Sequence, residues 1–127
     1  MNCLYTSRFG ELHVDYLYPG EFYITFSSMV KSYGFSGVQN FCIRKDNLQE
    51  RIKELIMMSD SLSGECKIED TDSDSYIYLL FEGRGLKVTG QLGGSYNDNF
   101  IKFSFLADQT LAQLFAASLR EFITLAS

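Results

Sequence analysis

The chain has 127 residues, 46 % of them apolar, which is enough for one continuous core and leaves little room for a second domain. Eleven basic against sixteen acidic residues give a net charge of −5. That balance disfavours direct binding to nucleic acid, whose phosphate backbone demands cationic surface, and suits a basic partner.

Eleven Phe and eight Tyr against no Trp and one Pro suggest half-buried strands rather than disorder. Cys3, Cys42 and Cys66 are an odd number at irregular separations, with neither a disulfide framework nor paired metal-ligand spacing. No basic region followed by a long apolar run marks a signal peptide, and no stretch reaches the ~18 apolar residues of a membrane helix. A soluble protein of the reducing cytoplasm, with no membrane contact, is the expectation.

In chain order, strands come first. Leu12, Val14 and Tyr16 alternate with Glu11, His13 and Asp15. After a Pro19-Gly20 turn, Phe22, Ile24 and Phe26 alternate with Tyr23, Thr25 and Ser27. Phe41 and Ile43 close a Gly-containing stretch. The period then changes: Leu48, Ile52, Leu55 and Ile56 form one stripe of a helix over 46–59. Asp46 reads as its N-cap, with Gln49 in the capping-box position.

Residues 60–75 are polar and acidic, with a short strand around 66–68. Ile77, Leu79 and Phe81 then share a strand face, and a turn at Gly83 and Gly85 leads to Leu86, Val88 and Gly90. A GGSYNDN loop over 93–99 precedes the strand of Ile101, Phe103 and Phe105. The last helix starts near Asp108, whose carboxylate can cap the first turn. Its stripe is Leu111, Leu114, Phe115, Leu119, Phe122 and Ile123. Burying such a stripe is worth roughly 1.5–3 kcal/mol per large side chain, so the helix must lie on a sheet or another helix.

The order strands–helix–strands–helix defines a single α+β domain over 1–127, a largely antiparallel sheet with two amphipathic helices on one face. A loose internal parallel accompanies it: ITF, GFSG, NFCIRKD and a helix, then LLF, KVTG, NFIKFSFLAD and a helix. Common physical rules can produce the same pattern without duplication.

Catalytic and cofactor signatures are missing from the sequence. His13, the sole histidine, sits in an alternating strand with no triad partner motif, which makes it a surface residue. The glycines between 83 and 94 punctuate strands, whereas a phosphate-binding loop runs strand–loop–helix. No enzyme activity, cofactor or metal is expected. The spacing of Asp70, Asp72 and Asp74 matches the opening of a calcium loop, but the glycine and distal Glu such a loop requires are absent. Between 60 and 74, six acids (Asp60, Glu65, Glu69, Asp70, Asp72 and Asp74) face one base, Lys67. The stretch is either a solvated connector or an electrostatic docking surface for a cationic partner. Tyr96, on the glycine-rich loop, is the tyrosine expected to be most exposed and the second candidate contact.

The segment GLKVTGQLGGSYNDNFIKFSFLADQTLAQLFAASLREF, about the last third of the chain, resembles the C-terminal region of WapI-like immunity proteins of bacterial contact-dependent toxin systems. The resemblance rests on the strand end at Gly90, the loop to Asn99, the FIKFSF strand, and Asp108-Gln109-Thr110 opening a helix with Leu111, Phe115 and Leu119. It implies a cytoplasmic protein that binds and neutralises the C-terminal toxin domain of a cognate secreted protein. Asp108 and Thr110 read as capping residues rather than toxin contacts. The alternative is a small-molecule-binding or regulatory sheet domain that uses its aromatic face.

Overall fold

The computed structural model describes residues 2–83, 85–94 and 99–127; Tyr96 lies outside them. The elements are β1 (Asn2–Thr6), β2 (Gly10–Pro19), β3 (Tyr23–Ser32), β4 (Phe35–Arg44), α1 (Lys45–Ser61), β5 (Glu65–Glu69), β6 (Tyr76–Glu82), β7 (Gly85–Gly93), β8 (Phe100–Ala107) and α2 (Thr110–Leu125). This is the expected α+β order. The strands divide into two antiparallel meanders, β1-β2-β3-β4 and β5-β6-β7-β8, each followed by one helix. The loose parallel in the sequence thus corresponds to two ββββα units.

Period-two patterning sets the faces. Gly10, Leu12 and Val14 of β2 and Ile24, Phe26, Ser28 and Val30 of β3 point inward, while Glu11, His13 and Asp15 point out. In the second sheet Ile77 and Leu79 face Leu86, Val88, Phe103 and Phe105 in the same inner layer. Gly90 belongs there because Phe103 lies across it: an added Cβ would fall 2.5 Å from the ring Cζ and 2.3 Å from the Tyr76 carbonyl oxygen.

Three local expectations change. Phe22 does not share the face of Ile24 and Phe26; it lies in the turn before β3, 58 % exposed. Asp46 is not the N-cap of α1. Strand β4 runs directly into the helix, Arg44 is the extended N-cap, and the Lys45 N–H is taken by the Phe22 carbonyl at 2.8 Å. No side-chain cap bond forms there, so Gln49 completes no capping box. Asp46 instead sits in the first turn, where Arg44 and the Asn47 N–H hold its carboxyl below the usual carboxylate range. Leu114, expected on the stripe of α2, is exposed. At α2 the N-cap residue is Gln109, without a side-chain cap bond; Asp108 reaches the first turn from one residue earlier, its Oδ1 accepting the Thr110 N–H at 2.9 Å and its carbonyl the Leu111 N–H at 3.0 Å.

The helices pack on each other and cross between the halves: α1 lies beside β5 and α2 beside β1. One core results. At its centre Phe26 stacks on Phe41 at 5.6 Å, and Phe122 of α2 meets Phe26 at 5.7 Å and Tyr16 at 5.8 Å. Phe26, Phe41 and Phe122 are essentially inaccessible to solvent. Removing the Phe122 ring leaves a cavity between sheet and helix, so Phe122→Ala is expected to cost about 3–5 kcal/mol in urea unfolding. A loss under about 1 kcal/mol would contradict this packing.

Candidate functional site

The six acids of 60–74 do not form one patch. Asp60 lies on the helix layer, in a groove between α1 and α2 that also contains Ile56, Gln113 and Arg120. Glu65 and Glu69 are exposed at opposite ends of β5, about 13 Å apart at the usual rise of an extended strand. Glu65 accepts the Tyr78 hydroxyl, and that bond to a carboxylate pushes the phenol's pKa up. Lys67, between the two acids, sits 4.6 Å over the Tyr76 ring.

Asp70 is set apart from the other five by burial. It is 8 % exposed, and both its oxygens are committed within the chain. Oδ1 accepts the Cys42 N–H at 2.9 Å and Oδ2 accepts the Ser73 hydroxyl at 2.6 Å. The adjacent Thr71 N–H donates to the Cys42 carbonyl at 3.0 Å, and the Asp70 N–H to the Ser75 carbonyl at 3.0 Å. The buried Ser75 hydroxyl lies 2.8 Å from Ser73 Oγ and accepts the Gly93 N–H at 2.8 Å. The 70–75 connector is therefore fastened to β4 on one side and to β7 on the other. The sequence presents Asp70, Asp72 and Asp74 as equals; burial separates them.

With the connector fixed, Asp72 and Asp74 remain exposed on it. Asp72 joins Tyr18, Tyr23, Thr25, Asn40, Cys42, Asp70 and Ser73 around an open groove of about 420 Å³ across the outer face of the first sheet. Cross-strand register places Tyr18, Thr25 and Cys42 in one row of that face. Asp74 sits apart, with its Oδ2 3.3 Å from the Cβ position that a side chain at Gly94 would take. Among the described residues, no three His, Cys, Asp or Glu side chains converge as metal ligands.

Local sequence patterning does not mark the tyrosine side of the groove as a site. A signal was present: Tyr23 and Thr25 take the parity opposite to Ile24 and Phe26, and Tyr18 immediately precedes the Pro19-Gly20 turn. Their meeting with Asp72 depends on the Asp70–Cys42 bond, a contact across the two halves that local patterning does not encode. His13 is half-buried on the outer face, its Nε2 3.2 Å from Glu11 Oε2. That bond, with Lys31 nearby, lowers the Glu11 pKa.

Cys66, by contrast, is buried against α1, with its Sγ 3.8 Å from the Arg51 carbonyl oxygen. Burial, with Glu54 nearby, pushes its thiol from an ordinary value of 9.0 up to about 12. Comparison with protein-family models, curated proteins and solved structures returns no match for the chain.

Asp70→Ala leaves the Cys42 N–H and the Ser73 hydroxyl without their acceptor and should lose about 1–3 kcal/mol in urea unfolding. Asp70→Asn keeps an acceptor for Cys42 and should lose less; equal losses would refute the hydrogen-bond role. Cys66 holds its proton more tightly folded than unfolded, so its contribution to stability is complete below pH 9.0 and falls until about pH 12. The slope across that interval is about 1.4 kcal/mol per pH unit. Cys66→Ala should therefore show a shallower alkaline decline than the wild type, and identical slopes would rule this out.

Proposed function

We propose that this chain is an immunity protein that binds the C-terminal toxin domain of a cognate contact-dependent toxin and neutralises it by stoichiometric occlusion. The observation that carries the proposal is the pre-formed acidic connector at the tyrosine-lined groove. Asp70 and Ser75 immobilise the chain, so Asp72 and Asp74 are displayed without an ordering cost on binding. An acidic rim steers a basic partner and suppresses acidic ones, and tyrosines supply contact area with a polar tip. The resemblance of the last third to WapI-like immunity proteins supplies the class of partner. The partner is a protein with a basic face, engaged without nucleic acid or membrane; no helix among the described residues is long and apolar enough to cross a membrane.

Co-expression with the proposed cognate toxin domain tests the reading: cells should survive with this protein and die without it. In vitro, Asp72→Asn combined with Asp74→Asn should slow association by about tenfold at low salt and flatten its salt dependence. Equal killing in both strains overturns the proposal, and unchanged association in the double variant moves the interface away from the connector.

The groove itself favours one second reading, a small-molecule site framed by Tyr18 and Tyr23. It predicts a rise in melting temperature with a metabolite mixture, abolished by Tyr23→Ala, and no protein partner.

A further inference from the structure

Four strands form the sheet edges, and their protection is unequal. Strand β1 lies beside α2, with Asn2 Nδ2 donating to Ser118 Oγ at 3.1 Å, and β5 lies beside α1. Strand β8 carries exposed Lys102, a charge of the kind that discourages edge pairing. Among the described residues, strand β4 has neither protection along its first half. From Ser32 to Ile43 the chain holds no charged residue and no proline, although the protein carries a net charge of −5.

The direction of the free groups follows from Cys42. Its N–H and C=O point away from β3, since Asp70 and Thr71 take them from outside. In an antiparallel ladder alternate residues bond to opposite sides, so Ser36, Val38 and Asn40 present their N–H and C=O outward as well. Among the described residues, these groups meet only the Gln39 side chain, 3.4 Å from the Asn40 carbonyl. Space of about 460 Å³ runs beside Gly37, Val38 and Gln39, walled by Leu92, Gly93, Asn99, Phe100 and Ile101. Phe35, Val38 and Phe100 are 75 %, 64 % and 52 % exposed.

We propose that the free edge of β4 pairs antiparallel with β4 of a second copy, about a two-fold axis through Val38, joining two first sheets into one continuous sheet. The length of the edge selects this register. The Tyr33-Gly34 turn bounds it at one end and the connector at Cys42 at the other, with Val38 midway. Ser36 then faces the second copy's Asn40, and Val38 faces the second copy's Val38, each pair exchanging two backbone hydrogen bonds. A shift toward Asn40 drives Ser36 against the second copy's Cys42, whose edge groups the connector already fills. A shift toward Ser36 leaves Asn40 unpaired. Because the strand is uncharged, the axis brings no like charges together.

Light scattering on the whole chain, from micromolar to near-millimolar concentration, should show a concentration-dependent rise to twice the chain mass. Val38→Lys sets two ammonium groups across the axis and should raise the dimer dissociation constant at least about tenfold. Met29→Lys, its cross-strand neighbour on the same face, should leave it unchanged. In a Cys3→Ser background, Val38→Cys should form a linked dimer when oxidised glutathione accepts the two electrons and protons of the thiols, whereas Ser104→Cys should not. A wild type that stays monomeric overturns the proposal and leaves the edge to a strand of another protein. Equal weakening by both lysine variants, or equal cross-linking at both positions, overturns the edge register.

Discussion

A four-stranded meander has one apolar face and cannot cover it alone. Each half of this chain ends in a single helix, and that helix packs against the first strand of the opposite half. The aromatic cluster of Phe26, Phe41, Phe122 and Tyr16 is the clearest instance, because a helix from the second half completes the core under the first sheet. The two units are thereby interdependent.

The candidate site lies on the seam so created. Neither half contains it: Tyr18, Tyr23, Asn40 and Cys42 come from the first unit, and Asp70, Asp72 and Ser73 from the second. The Asp70 carboxylate joins them, and Ser75 carries the same network on to Gly93 at the end of β7. Buried polar bonds of this kind fix geometry more than they add stability, since each replaces a bond to water. Here they give a connector of small polar residues one conformation and leave two of its acids exposed.

Most of the strands and both helices are legible in the sequence because their signals are local. Alternation exposes β2, β3, β6, β7 and β8, and the 3.6-residue stripe exposes both helices. Where the signal fails, the cause is specific. Strand β1 contributes only Leu4 to the fully buried layer, and the first half of β4 has no buried side chain, so neither shows a pattern. The N-cap of α1 is displaced because β4 enters the helix directly and the Phe22 carbonyl sets its start. The division of the acids into one structural and several exposed residues depends on long-range contacts, which carry no periodic mark. Composition points to the right segment, yet only the fold separates Asp70 from Asp72.

The near-sequential topology also bears on how the chain reaches this state. Every strand pair joins neighbours along the chain, so each meander closes short loops and meets little entropic resistance. The packing of α2 on β1 and the clamp at Cys42 join more distant segments and require both meanders to be in place. The Asp70 clamp joins segments 28 residues apart across the two halves, and the surface it secures persists for as long as the halves stay docked.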